Sequence, residues 1–411
     1  MSLKKLNHKN KQRFSALLKE ATHHLKVHQY QAALQAYKKI YNLTHDPRSL
    51  QLQGLCLYKL NQLDEAISVS ELALAKFKQI GQLDVPTLEN LTEVYGIHGD
   101  VEKSHYYGKK CLQAKDSLAM KGAKSFQLLE ASSSLGKKQV FSFSLFGASP
   151  RYCENAILNV KAVQQIFPDF ICRFYIDESV PKQVQSRLVA EKAEVVLVES
   201  DFRPLPGTMW RFLALDDEEV AVVICRDADS VVSMREKAIV EEWLSSDFKA
   251  HVIRDFPSHC ELLLAGLFGI KRGAISPIKG AMLGFVEAAK NGRYTDQQFL
   301  RHCIWPQIKL TALTHDRCFQ FGEHMGTEAL PSPASSTDHI GSNLGAKSIS
   351  LSSDLPDGSH VEFYFVFDSH DKRGPYQAVV KNKSWSSPIP DAYIDSLNEK
   401  SMTIEWKRIA S

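Results

Sequence analysis

Residues Val220–Val232, read as Val-Ala-Val-Val-Ile-Cys-Arg-Asp-Ala-Asp-Ser-Val-Val, contain neither Gly nor Pro and are apolar at both parities of the strand period. A strand of that kind must be covered on both faces, so it belongs in the middle of a sheet flanked by other layers. Its far end changes character, because Asp227 and Asp229 follow there, separated only by the small Ala228. In extended chain, residues i and i+2 point to the same side, so both carboxylates can face one point. In open α/β sheets the carboxyl ends of strands are where ligands bind. Two hard oxygen donors at one point suit Mg²⁺ or Mn²⁺, ions that commonly complete their shell with substrate phosphates.

The surroundings of this strand alternate. Val140–Phe146 reads as a strand ending in Gly147-Ala-Ser-Pro, Glu154–Ile166 as a helix, and Ile171–Ile176 as a second strand ending at Asp177. Helical Lys182–Glu191, a third strand Glu194–Val198 and helical Thr208–Leu215 then lead into Val220. Strand–helix alternation of this kind implies an α/β nucleotide-binding architecture with a mostly parallel central sheet and right-handed crossovers, spanning residues 139–380. After Trp305-Pro the pattern loosens into the loop-rich stretches Pro331–Ser336 and Ser348–Gly358, which could close over a ligand, before a late strand at Val361–Phe367. Residues 381–411 read as a short tail with little signal.

Upstream, Phe14–Leu129 is helical in grammar and repeats. Tyr30–Tyr37 aligns with Leu63–Ser70 at a spacing of 33 residues, since 66 − 33 = 33, and with Val101–Gly108 at 38, since 104 − 66 = 38; a few residues are inserted near Gly81–Val85. These copies resemble tetratricopeptide repeats, helix pairs of about 34 residues. Leu17 and Ala21, Leu50 and Gly54, and Leu88 and Thr92 take the large and small positions of the first helix, while Ala33, Ala66 and Ser104 take the small position of the second. The third copy departs from the pattern in its Ser104 and Gly108. The expectation is a helical-repeat domain over residues 1–130, with Asp116–Leu129 as a capping helix and a polar linker over 131–138. Such an array has no chemistry of its own and offers a concave surface for a protein or peptide, or simply packs on its neighbour.

Bulk properties narrow the partners. Fifty Lys and Arg against 47 Asp and Glu leave a formal charge of +3, with no broad basic field for nucleic acid. Eight cysteines without a Cys-x-x-Cys pair read as reduced thiols of a cytosolic protein. The basic N-terminus lacks a following apolar region, and no run reaches the ~18 apolar residues of a membrane span.

Two families place Asp-x-Asp after an apolar strand. Asp227-Ala-Asp229-Ser-Val231 fits the nucleophile motif of haloacid dehalogenase-like phosphohydrolases, but in those the strand opens the fold, and here three strands come first. The order Thr208-Met-Trp-Arg211, then Asp227-Ala-Asp229, then Leu264-Ala-Gly266-Leu-Phe-Gly269, then Asp296-Gln297 resembles the GT-A glycosyltransferases of the glycogenin and lipopolysaccharide galactosyltransferase group, over roughly Lys138–Asp338. That resemblance implies a nucleotide-sugar donor, a UDP-sugar first among them, and an Mn²⁺ or Mg²⁺ ion held by Asp227 and Asp229. It implies hexosyl transfer to a protein, peptide or glycan acceptor. Two departures stand out: Arg226 directly precedes Asp227, and the group's terminal His-x-x-Gly-x-x-Lys-Pro-Trp signature is absent. His339 is then the substitute third metal ligand, with His315 next.

The remaining roles follow from charge and position. Arg211 or Arg226 would stabilise the negative charge of a departing diphosphate. Asp296 would orient or deprotonate an acceptor hydroxyl. Phe146, Gly147, Asp177, Gly266 and Gln297 would contact the donor, with Gly266 and Gly269 admitting close backbone approach, and Asp255 and His259 would face the acceptor. Each has a plain structural alternative: Asp296 as a helix cap, Arg211 as a salt bridge, His339 as a hydrogen-bonded surface ring. The expected function is metal-dependent glycosyl transfer with the repeats as acceptor- or partner-binding scaffold; a non-catalytic nucleotide- or glycan-binding scaffold and a phosphohydrolase using Asp227 are the alternatives.

Overall fold

A computed structural model describes residues 7–122, 136–289, 295–345, 347–367 and 371–409. The chain forms two compact units. One holds the residues up to Gly122 together with Arg254–Leu262 and Asp316–Phe321, and the other holds the remainder.

The first unit contains three helix pairs: α1 (His8–Lys26) with α2 (Tyr30–Thr44), α3 (Pro47–Lys59) with α4 (Leu63–Gln79), and α5 (Val85–His98) with α6 (Val101–Gly122). Local chemistry sets their ends. Asp46 and Asp84 accept backbone N–H groups at the starts of α3 and α5, and Gly99 ends α5 with φ +95°. The expected small positions are where helices meet most closely. Ala33 and Ala66 are completely buried, and a Cβ on Gly54 would strike the Ser70 side chain of α4. One departure in the third copy, Gly108, has a local cause, and Gly96 of α5 shares it. Gly108 lies under the Phe319 ring, and Gly96 under Pro257, so α5 and α6 accept the two inserted segments where a side chain would block them. Helix α6 runs unbroken through Gly122, so residues 116–122 continue it rather than begin a separate cap. Residues 123–129 of that expected cap, and 131–135 of the expected linker, lie outside the described residues.

A buried cation also joins α6 to the inserted segments. Lys115, 1% exposed, donates to the Cys260 carbonyl and pairs with Glu261 at 3.0 Å and with Glu89. Burial disfavours its charge, but Glu261 and the other neighbours outweigh it and raise its pKa.

The second unit is built on an eight-stranded sheet: β1 (Lys138–Leu145), β2 (Phe170–Ile176), β3 (Glu194–Leu197), β4 (Val220–Arg226), β5 (Ala250–Arg254), β6 (Leu267–Lys271), β7 (Ala312–Asp316) and β8 (His324–Met325), in the order β3-β2-β1-β4-β6-β5-β7-β8. Strands β3, β2, β1 and β4 are parallel, β6 is antiparallel to β4 and β5, and β8 is parallel to β7. Helices α7 (Pro150–Ile166) and α8 (Lys182–Ala190) supply the first two crossovers, followed by α9 (Lys237–Ser245), α10 (Lys279–Ala289) and α11 (Thr295–Phe299). Phe141, Phe143, Cys172 and Phe174 form the apolar layer with Ala156, Val160 and Val163 of α7, which is why β1 and β2 alternate as they do.

The chain moves outward from β1 through β2 to β3 and then returns to the other side of β1 as β4. That reversal opens a crevice at the carboxyl ends of β1 and β4, and Phe143 of β1 pairs with Arg226 of β4 just below it. Toward the C-terminus come β9 (Ser348–Ser352), β10 (His360–Val366), β11 (Lys372–Val379), β12 (Ser384–Pro388) and β13 (Thr403–Ile409), in a three-stranded sheet β11-β10-β13 and a β9–β12 pair, with a helix at Asp391–Asn398. The stretch beyond Lys381, expected as a plain tail, thus contains two strands and a helix, and Trp385, Tyr393 and Met402 are core residues. Among the described residues no helix is long and apolar enough to cross a membrane. All eight cysteines are free.

Candidate active site

The crevice at β1 and β4 contains a cavity of about 300 Å³ lined by Ser144, Leu145, Phe146, Tyr152, Thr208, Arg211, Asp227, Ala228 and Asp229. Both carboxylates of the pair therefore face one space, but by a turn rather than by the extended chain expected for them: β4 ends at Arg226, and Ser230 N–H donates to the Asp227 carbonyl at 3.1 Å, so that Asp227, Ala228 and Asp229 all line the cavity. A larger open groove, about 460 Å³, lies on the same sheet face beside Arg173 and Tyr175. Its chief cation is already consumed, because Arg173 pairs with Glu194 at 2.6 Å and Asp217 at 2.5 Å. The smaller cavity holds both carboxylates of the pair.

Arg211 comes from the 3-10 segment Gly207–Asp216 that precedes β4. Its backbone is pinned to β1 from both sides: its N–H donates to the Ser144 hydroxyl at 2.9 Å, and its carbonyl accepts from Ser142 at 2.7 Å. With the backbone fixed, the guanidinium reaches Asp227 through Nη1 and Asp296 of α11 through Nη2 at 3.4 Å. Burial works against its charge, yet Asp227 and Asp296 outweigh burial and raise its pKa. The second carboxylate has its own arginine. Arg151, in the first turn of α7, donates from Nε at 2.9 Å and Nη2 at 2.6 Å to the same Asp229 oxygen. Burial, then the nearby Asp227 charge, raises the Asp229 pKa, with Arg151 opposing.

The loop before β6 closes the site from a third side. A Cβ on Gly266 would collide with the Asp227 carboxylate, lying 2.7 Å from its Cγ. Gln297 of α11 holds this loop: its amide nitrogen donates to the Leu263 carbonyl and its oxygen accepts from Ala265 N–H at 3.1 Å. One N–H and one lone pair of its amide are thus engaged by the loop that carries Gly266. Gly269 serves packing, since a Cβ there would meet the Trp243 ring at 2.6 Å, and the substrate-facing role expected for it does not hold.

Other expected residues separate. Arg226 is the last residue of β4, directly before the turn that carries Asp227. It is completely buried and paired with Glu236 at 3.1 Å, away from the cavity, so the role expected for it in stabilising a leaving group does not hold. His315 is also elsewhere, its ring held between His251 and Glu242 at 2.8 Å each. His339 bonds through Nδ1 to the Ile340 carbonyl at 3.0 Å; its segment does return to the site, where Leu344 N–H donates to the Asp229 carbonyl at 3.0 Å. Among the described residues no three His, Cys, Asp or Glu side chains are gathered closely enough to hold a metal ion, so Asp227, Asp229 and His339 are not a preassembled set. Phe146 lines the cavity and is exposed, while Gly147 N–H donates to the Ser179 hydroxyl, which in turn bonds Asp177; this links the ends of β1 and β2. Asp255 and His259 belong to the segment grouped with the helical repeats, where Asp255 pairs with Arg317 at 3.1 Å and donates its N–H to His259.

No family model and no curated protein matches the chain. Solved structures similar to it include a mutant O-GlcNAc transferase of Thermobaculum terrenum, at 14% identity and TM-score 0.29, covering 52% of this chain and 46% of that one. Others are a mannosyltransferase of Pyrobaculum calidifontis in complex with GDP-Man and Mn²⁺, at 13% identity and TM-score 0.31, covering 60% and 70%, and a glycosyltransferase involved in glycosylation of the major capsid of PBCV-1, at 13% and 0.28, covering 44% and 82%. This chain thus spans less than half of the first of these proteins. Likeness at these TM-scores is loose, and the chemistry of the site stands on its own residues.

Those residues fit a divalent cation of the Mg²⁺ or Mn²⁺ kind. The donor set is two carboxylates at the cavity wall, with Asp227 half exposed and a glycine where any side chain would crowd it. Two protein ligands leave most of an oxygen-rich shell to phosphates and water. Arg151 and Tyr152 escaped the sequence reading. Their signal was positional, since they follow the carboxyl end of β1 just beyond Gly147.

Proposed function

We propose that the second unit is a glycosyltransferase that uses a nucleotide-diphosphate sugar and a divalent cation, and that the helical repeats bind the acceptor or a partner protein. The carrying observation is the convergence of Asp227, Asp229, Arg211 and exposed Phe146 on one cavity at the sheet's reversal point. Asp227 and Asp229 would hold the cation, which when bound would neutralise charge on the departing diphosphate. Arg211 adds a fixed positive charge on the same side, preorganised by its backbone bonds to β1 and therefore without reorganisation during the reaction. Asp296, paired with the cavity residue Arg211, would orient or deprotonate the acceptor hydroxyl. Phe146 and Tyr152 offer flat apolar faces for the base. His339, on the segment that returns to Asp229, would complete the cation's shell after a turn of its ring.

The test is a screen of nucleotide sugars for Mn²⁺- or Mg²⁺-dependent release of the nucleoside diphosphate, with Asp227→Asn and Asp229→Asn alongside. Loss of turnover on the order of 100-fold or more in both variants is expected. Wild-type rates in both would end the cation role, and nucleotide binding without turnover of any donor would make the unit a binding module.

A further inference from the structure

The two arginines that meet the carboxylate pair are built differently. Arg211 is 4% exposed, tied by its backbone to β1, and shared between Asp227 and Asp296. Arg151 is 32% exposed, stands at the start of α7, and spends two nitrogens on a single Asp229 oxygen. That is not the two-oxygen fork in which guanidinium and carboxylate bind most strongly. Asp229 is nearly buried and would not be left without a cation, but the guanidinium is a third exposed and engages only one of the two carboxylate oxygens, so it can be given up when another cation takes the carboxylate and another anion takes the guanidinium. Its stem rests against Gly345, where a side chain would block it, and its guanidinium lies 5.1 Å from the ring of Tyr152, a residue of the cavity wall.

We infer that Arg151 is an exchangeable counter-charge: it occupies Asp229 until a nucleoside diphosphate and a divalent cation arrive together, and then transfers its guanidinium from the carboxylate to the diphosphate. This rests on the cation-dependent reading of the site given above. A cation approaching Asp229 by itself meets a guanidinium already seated there, and two positive charges within a few ångströms repel. A diphosphate arriving with the cation gives the guanidinium another anion, one whose tetrahedral oxygens match its fork. The local charge then stays balanced: Asp229 passes from guanidinium to cation, and Arg151 passes from carboxylate to phosphate. The consequence is thermodynamic coupling, in which each ligand raises the affinity of the other. Arg211 does not exchange in this way because Asp296 and the β1 hydroxyls hold it on both sides.

The full-length protein and its Arg151→Gln variant would be titrated calorimetrically with MnCl₂ alone, and then with UDP, GDP and ADP in turn at saturating Mn²⁺. Arg151→Gln is expected to bind Mn²⁺ alone on the order of tenfold more tightly than wild type, and nucleoside diphosphate on the order of tenfold more weakly. Arg151→Lys, which keeps the charge without the fork, is expected to return Mn²⁺ affinity toward wild type while leaving the diphosphate weak. Opposite signs for the two ligands mark exchange, because a merely structural arginine would weaken both. Equal Mn²⁺ binding by wild type and Arg151→Gln, whether strong or weak, overturns the exchange while leaving the transferase reading intact. Absence of diphosphate binding by wild type with Mn²⁺ overturns that reading and the exchange with it.

Discussion

Replacing Gly266 by Ala tests the geometry of the site without touching a charged group. The added Cβ would lie 2.7 Å from Asp227 Cγ. Carbon atoms in contact sit about 3.5–4.0 Å apart, so the carboxylate must withdraw by roughly 1 Å. What yields is the end of a half-exposed side chain, so the fold loses little, about 1 kcal/mol at most. The site loses more: a misplacement of roughly 1 Å in a catalytic group costs about 100-fold, equivalent to about 2.7 kcal/mol of barrier. The assay is cation-dependent donor turnover, measured beside thermal unfolding. Gly269→Ala is the matched control, because its Cβ would meet the Trp243 ring in the core. Overpacking there costs about 1–3 kcal/mol of stability, and turnover of the protein that remains folded should persist. Wild-type turnover by Gly266→Ala, or turnover lost only in proportion to stability, would refute the placement of Asp227 against this loop.

Two further outcomes follow from buried charge. Lys115→Met strands Glu261 without its cation and should cost about 3–5 kcal/mol in denaturant unfolding, largely recovered by adding Glu261→Leu; a loss under about 1 kcal/mol would show that solvent reaches Glu261. The His251–His315 pair gives a pH signature: burial lowers the pKa of both rings, with His315 adding to the effect on His251 and Glu242 opposing it on His315. Held neutral when folded, the pair binds fewer protons than the unfolded chain below the ordinary histidine value of 6.5, so its contribution is intact above that pH and is lost as pH falls through it. An unfolding midpoint that stays level between about pH 7.5 and about pH 5 would contradict the buried neutral pair.

Much of the architecture was legible because it is written in local periodicity. The period of the helix pairs and the alternation of strand and helix each need only neighbouring residues to be read, and Asp227-Ala-Asp229 stands out as the polar end of an apolar strand; the turn closed by Ser230 N–H on the Asp227 carbonyl, not extended chain, brings its carboxylates to one cavity. Arg226, the last residue of β4, is expected in the site from its position beside Asp227; the buried Glu236, ten residues on, receives it instead. Gly108, a departure when seen as a repeat, is explained by Phe319, a ring more than two hundred positions away.

The sequence by itself therefore determined the element order, the covered central strand, and the presence of two carboxylates at its carboxyl end. Tertiary structure decided which cations meet them. Arg211 reaches Asp227 because Ser142 and Ser144 pin its backbone to β1, and Arg151 reaches Asp229 because the sheet reverses between β1 and β4 and brings the start of α7 to the end of β4. Period and propensity act over a few residues, whereas an ion pair across 78 positions exists only after the chain has closed on itself.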